Sequence, residues 1–349
     1  MGSRAGTLRA GLVAATGLMA VTACGSSASS VASGSVNDSA SGLQAQYESV
    51  VTAVLPSVVQ IFTDDATGSG VVYDSKGDIV TNAHVVGNAS TVRVVPATGG
   101  SMLTARVLGT FPAGDLAVIR VESDATSLKV AKFGNSDDVR AGQIVLAMGN
   151  PLGLTGSVSQ GIVSALGRTV SASGTSGGAV TTITDAIQTT AAINGGNSGG
   201  ALVSLSGQVV GIPSAAARDP EAGAAPGIGF AIPSDTAVDI ANQLISTGKV
   251  TNSGRASLNI TATTVTTTDG QEAGVGLVSV DSGGAAANAG LRAGDIIVKL
   301  GDQPTPSLNV LNAVLATYKP DEQVQVTYLR AGNNNNTSAV KVTLGTLTS

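Results

Sequence analysis

The chain has 349 residues, 42% hydrophobic and 12% charged, enough for about two domains with buried cores. Eighteen Lys+Arg against 23 Asp+Glu give a net charge of −5, which lacks the basic footprint that nucleic acid demands. One Cys excludes an intrachain disulfide and a multi-Cys metal site, one His excludes a His-cluster site, and no metal or cofactor is expected.

Residues 1–23 read as a signal peptide. Arg4 and Arg9 make a positive start, and an apolar run to Ala23 is too short for a membrane span of roughly 20 residues. The run ends in Val21-Thr22-Ala23-Cys24-Gly25, which resembles a bacterial lipobox and implies lipidation of Cys24. The alternative is an ordinary secretory signal with an incidental Cys. Residues 24–42 are a Ser/Ala/Gly tract with one charge, expected to be a flexible tether.

A first folded domain is expected over 43–247. A helix is predicted at 43–55, then short apolar runs at 57–62, 70–73, 78–81, 91–95, 116–121, 143–148, 160–166 and 208–213. Separated by turn-rich segments, they predict an all-β barrel or sandwich. A helix at 234–247 follows, with Ser234 as its N-cap. With 46 Gly, no Trp and 2% aromatics, Ala, Val, Leu and Ile must fill the core.

A Gly/Thr/Ser link at 248–255 opens a second unit, together spanning 248–349. It reads as strand 276–280, short helix 285–289, strand 295–300, helix 307–318, strand 323–330, turn 332–336 and strand 339–344. Leu311, Val314, Leu315 and Tyr318 form one apolar stripe on the longer helix.

Three stretches carry chemistry: T-N-A-H-V-V at 81–86, G-D-L-A-V-I at 114–119 and N-G-G-N-S-G-G at 194–200. A serine hydroxyl needs a base within hydrogen-bond reach, and the base needs a carboxylate to fix its tautomer. A Ser between glycines can sit in a tight turn whose backbone N–H groups converge on an oxyanion. His84 is then the base, Asp115 its orienter and Ser198 the nucleophile, with Gly196 and Ser198 donating the oxyanion-hole N–H groups. Each stretch alone has a plainer reading: a packed His, a capping Asp, a hairpin turn. Together, in the order His, Asp, Ser, they match a chymotrypsin-like chain.

On these residues the chain resembles the HtrA/Deg serine proteases. The supporting stretches are G-S-G-V-V at 68–72, A-M-G-N-P-L-G at 147–153, Q-G-I-V-S-A-L-G-R at 160–168, A-A-I-N-G-G-N-S-G-G-A-L at 191–202 and I-G-F-A-I-P at 228–233. In the second unit, G-A-A-A-N-A-G-L-R-A-G-D-I-I at 284–297 resembles a PDZ domain. The resemblance implies a mostly β fold, a chymotrypsin-like double β-barrel followed by an α+β PDZ domain. It implies a specificity pocket walled by Ala192, Ile228, Gly229, Phe230 and Ala231. Segments 149–153 and 170–178 would be mobile loops that order the site. Thr190, Gly195 and Ala201 depart from the family pattern and make the loop before Ser198 less constrained.

Ser257, Leu258, Asn259 and Ile260 stand where PDZ domains bind a peptide carboxylate. Asn259 replaces the usual Gly and tolerates left-handed backbone. The implied function is an extracytoplasmic, lipid-anchored or secreted endopeptidase acting on unfolded or misfolded envelope proteins after small or medium apolar residues. Peptide C-termini would be its PDZ partners and a homotrimer its assembly. The alternative function is a catalytically quiet chaperone or PDZ adaptor; separately, the plainer reading of the second unit is a spacer or oligomer contact.

Overall fold

The computed structural model describes residues 34–122, 125–150, 156–172, 181–219, 223–330 and 336–349. The signal segment and Cys24 lie outside the described residues. So do 25–33 of the tract, 151–155, 173–180, which include most of the second expected loop at 170–178, and 331–335, which include most of the expected turn at 332–336. The chain divides into two compact units, Met1–Leu43 and Gln44–Ser349.

Helix α1 runs Gly34–Val54, beginning inside the tract expected to be a flexible tether. Propagating a helix costs little once a turn is nucleated. Val50 and Val54 bury into the core, whereas residues 40–46 stay exposed. A 3₁₀ turn at Leu55–Ser57 ends it, with Pro56 in its first turn.

Two closed antiparallel barrels follow. The first comprises β1 (Val58–Phe62), β2 (Thr67–Val72), β3 (Asp78–Thr81), β4 (Thr91–Pro96), β5 (Leu103–Phe111) and β6 (Leu116–Val121), in the order β1-β2-β3-β6-β5-β4. A one-turn helix, α2 (Ala83–Val86), leaves β3. The second barrel comprises β7 (Ile144–Gly149), β8 (Ser157–Ala172), β9 (Thr181–Thr189), β10 (Ala201–Ser204), β11 (Val209–Asp219) and β12 (Gly223–Pro233), in the order β10-β11-β12-β9-β8-β7. The expected strands are all present, several longer than their apolar runs.

Strand alternation sorts the side chains. Val59, Ile61, Ile79, Val92, Val94 and Ile119 fill the first barrel. Val145, Ala147, Val163, Ile187 and Leu202 fill the second. The opposite faces, with Val58, Val80, Leu116, Leu146, Met148 and Val203, meet between the barrels. Each fully buried Val, Leu or Ile contributes about 1.5–3 kcal/mol, so small aliphatics suffice without Trp.

Helix α3 (Ser234–Thr247) covers this seam with Ala237, Ile240, Ala241 and Leu244, an i, i+3, i+4, i+7 face. Ser234 is not its N-cap. Pro233 takes that place, and the Ser234 hydroxyl donates to Gly134 O at 2.7 Å. The first turn is instead tied down by Asp235, whose Oδ2 accepts from Ser136 N at 2.8 Å and Ser136 Oγ at 2.7 Å.

The remainder forms β13 (Ala256–Ser257), β14 (Ile260–Thr266), β15 (Glu272–Val280), α4 (Ala285–Asn288), β16 (Ile296–Leu300), β17 (Gln303–Pro304), α5 (Leu308–Leu315), β18 (Gln323–Leu329), β19 (Thr337–Thr343) and β20 (Gly345–Thr346). The sheet order is β14-β15-β16-β18-β19, with β17 on β16 and β13 paired to β20. Helix α5 stops at Leu315, earlier than its stripe suggested, where i→i+3 bonds take over, Thr317 N donating to Val314 O at 3.0 Å and Tyr318 N to Leu315 O at 3.1 Å. Leu311 and Leu315 are still buried against Val275, Ile297 and Val326.

Asp78, fully buried at the start of β3, pairs bidentately with Arg120 of β6, with Arg120 Nη2 donating to Oδ2 at 2.7 Å. Removing one partner leaves an uncompensated charge. Asp78→Asn should lower stability by about 3 kcal/mol, read as an earlier chemical-denaturation midpoint.

Candidate active site

The site lies where the two barrels meet. His84 stands on α2, directly after β3. Asp115 follows a 3₁₀ turn at Pro112–Gly114 and adopts left-handed backbone at φ 55°. That turn, closed by Asp115 N donating to Pro112 O at 3.1 Å, aims the carboxylate back toward α2. Asp115 is 3% exposed. Its carboxylate accepts from the His84 backbone N–H at 3.0 Å and from His84 Nδ1 at 2.9 Å to each oxygen. The Ser214 hydroxyl of β11 donates to it as well. Asn82 Nδ2 donates to the Asp115 carbonyl at 2.9 Å.

A carboxylate on Nδ1 assigns the ring proton there, leaving Nε2 free to take a proton. Burial pushes the imidazole pKa down, but the hydrogen bond and charge of Asp115 more than offset it, so the net shift is upward.

Ser198 is 4% exposed, at the end of a turn that the glycines make possible. Gly199 has φ 80°, and a Cβ there would collide with Ser69 O and Thr81 Oγ1. The Ser198 hydroxyl donates to Asn194 O at 3.1 Å and lies 3.4 Å from Ser214 O.

Both expected oxyanion donors are engaged by one residue. Gly196 N–H donates to Asn194 Oδ1 at 3.0 Å, and Ser198 N–H donates to Asn194 O at 3.2 Å. The Asn194 amide and carbonyl occupy the donors that a substrate oxyanion would need. Asn197 locks this loop from inside. Its Nδ2 donates to Ala192 O at 2.8 Å, and its Oδ1 accepts from Asn194 N at 3.0 Å.

Of the expected pocket residues, Gly229 and Ala231 pair with Thr189 and Ile187 of β9. Ala231 is fully buried in the second barrel. Phe230, on the other face of β12, packs against the seam between barrels, while Ile228 and Ala192 are exposed. Ile193, which the motif did not single out, fills the space a Cβ on Gly229 would need.

In the second domain Asn259 is left-handed at φ 54°, in line with its tolerance for that region. Its N–H donates to Ser257 Oγ at 2.9 Å, and its Oδ1 accepts from Ala285 N at 3.3 Å. Leu258 is buried, and Ile260 opens the edge strand β14.

Ser214, Asn82 and Asn194 were missed as site residues. Asn82 and Asn194 sit inside the T-N-A-H-V-V and N-G-G-N-S-G-G stretches, where only their nearness to His84 and Ser198 marks them. Ser214 carries no local signal; only the pairing of β11 brings it to Asp115.

The trypsin-like peptidase domain family matches residues 68–212, and the PDZ domain family matches residues 256–344. The chain is 41% identical over 316 residues to serine protease PepD of Mycobacterium tuberculosis, covering 85% of this chain and 66% of that protein. It is 38% identical over 294 residues to serine protease Do-like HtrA of Lactococcus lactis, covering 80% of this chain and 71% of that one. The match to periplasmic serine endoprotease DegP of Salmonella typhimurium is 39% over 275 residues, 76% of this chain and 55% of DegP. The crystal structure of the serine endoprotease from Yersinia pestis superposes with a TM-score of 0.55 at 33% identity, covering 86% of this chain and 98% of that one.

Fold and site therefore define a class: a trypsin-like serine endopeptidase domain followed by a PDZ domain. Within that class, the chain belongs to the HtrA family of serine proteases.

The single imidazole gives a direct readout. By NMR, the lone His84 signal should titrate above pH 6.5, the ordinary histidine value. In Asp115→Asn, burial then acts with no carboxylate to offset it, and the midpoint should fall below that value.

Proposed function

We propose that this protein is an extracytoplasmic endopeptidase that cleaves unfolded or misfolded envelope proteins through an acyl-enzyme. In this reading Ser198 Oγ attacks the scissile carbonyl while His84 Nε2 takes its proton. Asp115 holds the ring and stabilises the imidazolium. Gly196 and Ser198 N–H groups receive the oxyanion. His84 then protonates the leaving amine, and water releases the acyl group by the reverse sequence. The observation that carries the reading is the buried Asp115 carboxylate, gripped by His84 on one side and Ser214 on the other.

Because Asn194 holds the oxyanion donors, substrate or a regulatory contact must first displace it. Activity then follows the population of the displaced loop. Coupling of 1–3 kcal/mol gives about 5–150-fold activation. Zymogen cleavage is not the trigger in this reading. Asn197 is uncharged and spends its amide on Ala192 and Asn194, so a new α-amino group has no carboxylate to meet.

The pocket near Ala192, Ile228, Gly229, Phe230 and Ala231 carries no acid to compensate a buried Lys or Arg. Ile193 narrows it at Gly229. Small or medium apolar side chains suit it. Peptide C-termini would add beside β14, with Ser257, Leu258, Asn259 and Ile260 at the carboxylate. A lipid on Cys24 would anchor the chain outside the cytoplasm, and a homotrimer follows from the family resemblance. The periplasmic name of DegP supports the compartment.

The occupied oxyanion donors also favour a second reading, a catalytically quiet chaperone or PDZ adaptor. Labelling by a fluorophosphonate separates the two. Stoichiometric reaction at Ser198 supports the enzyme; no reaction, even with unfolded substrate or peptide present, supports the adaptor.

Ser198→Ala and His84→Ala should each abolish casein hydrolysis without unfolding the chain, by analogy with losses of about 10⁶-fold in kcat. More than roughly a tenth of activity remaining would refute the assignment, since the uncatalysed background lies orders of magnitude lower. Mass spectrometry of the casein digest should show cuts mainly after Val, Ala, Ile or Leu. A majority after Lys or Arg would refute the pocket.

A further inference from the structure

Ser69, fully buried on β2, touches the nucleophile loop twice. Its N–H donates to Ser198 O at 2.9 Å, and its hydroxyl donates to Gly196 O at 2.7 Å. The same hydroxyl oxygen accepts from Asn150 N at 2.9 Å, and Ser69 O accepts from Thr81 Oγ1 at 2.6 Å. Ser69 belongs to the first barrel, while Gly196, Ser198 and Asn150 belong to the second barrel's loops. Thr81 ends the strand that leads to His84.

The hydroxyl has one proton, committed to Gly196 O, and a lone pair committed to Asn150 N. There is little slack around it. A Cβ on Gly149 would come within 2.9 Å of Ser69 Oγ, and one on Gly200 within 3.2 Å of Ser69 Cβ.

These contacts pin the loop selectively. The carbonyls of Gly196 and Ser198 are both fixed to Ser69. The Gly195–Gly196 peptide is not fixed by it: Gly195 is exposed, and a Cβ there would meet nothing within 4 Å. The Gly196 N–H points instead to Asn194 Oδ1. Freeing the oxyanion donors thus requires rotating the Asn194 side chain off Gly196 N–H and turning the Asn194–Gly195 peptide, whose carbonyl holds Ser198 N–H. The stretch from Gly196 C=O through Ser198 can stay in place.

We propose that Ser69 is a positioning residue for the reaction. It holds Ser198 and its N–H in register with the first barrel, so that opening the oxyanion site moves Asn194 and not the nucleophile. It acts through the loop and touches no substrate.

The inference rests on Ser198 being the nucleophile. Ser69→Ala removes the hydroxyl with almost no change of volume. A misplaced nucleophile costs about 10²-fold per ångström, so kcat on a peptide substrate should fall about 10- to 100-fold. KM should stay within about twofold, since the pocket is untouched. Phosphonylation of Ser198 should slow by the same factor as kcat, and the acid limb of the pH profile should not move, because the hydrogen bonds of Ser69 among the described residues go to Gly196, Ser198, Asn150 and Thr81 and not to His84 or Asp115. Should Ser69→Ala fail to fold, Ser69→Gly, which removes the same hydroxyl and adds no bulk, carries the same test. A folded variant with kcat within about twofold of the parent, or with its entire loss in KM, overturns the inference. An active Ser198→Ala overturns the nucleophile assignment instead; an inert Ser198→Ala beside a fully active Ser69→Ala overturns this inference alone.

Discussion

The buried carboxylate of Asp115 is the interaction on which the site depends. An ionised carboxylate out of water is stable only when its oxygens are hydrogen-bonded. Here the donors come from both barrels: the ring and backbone of His84 from the first, and the hydroxyl of Ser214 from the second. Neither barrel alone can satisfy it. The aliphatic seam of Val58, Val80, Leu146, Met148 and Val203, covered by α3, supplies the cohesion that keeps the donors in place.

The turn that presents Asp115 is also tied to the segment that leads into the PDZ domain. Arg255 Nη1 donates to Ala113 O at 2.9 Å, within the 3₁₀ turn just before Asp115. Arg255 directly precedes the PDZ domain, and its carbonyl accepts from Leu347 N at 2.8 Å. Burial lowers its pKa to about 10, and Thr181 Oγ1 reinforces the same turn through Pro112 O at 3.1 Å. The loop carrying Ser198 has its own cross-barrel tie in Ser69. The turn before Asp115 is thus held by Arg255 and Thr181 and the loop of Ser198 by Ser69, whereas Asn194 is bonded only within its own loop among the described residues.

Much of this was legible in the sequence because the relevant signals are local. Apolar runs bounded by glycine-rich turns located the strands, and β3 and β6 matched at both ends. The G-N-S-G-G stretch implied a tight turn, and Gly199 shows why a side chain is excluded there. The αL tolerance of Asn259 was likewise a property of one residue. What escaped was non-local. Ser214 is an unremarked serine until β11 pairs into the second barrel, and Arg255 sat in a segment whose composition suggested a link. The helix starting at Gly34 escaped for another reason: its first turns draw on propagation from the packed end at Val50 and Val54, which a Ser/Ala/Gly composition does not reveal.

At rest Asn194 occupies the two N–H groups proposed to receive the oxyanion, and in the proposed mechanism it leaves them when the site becomes competent. A crystal structure of the protein with Ser198 phosphonylated tests it most directly. The account predicts the phosphoryl oxygen accepting from Gly196 and Ser198 N–H, with Asn194 displaced from both and Ser69 still bonded to Gly196 O. An adduct in which Asn194 keeps both donors, with the phosphoryl oxygen turned elsewhere, would contradict it.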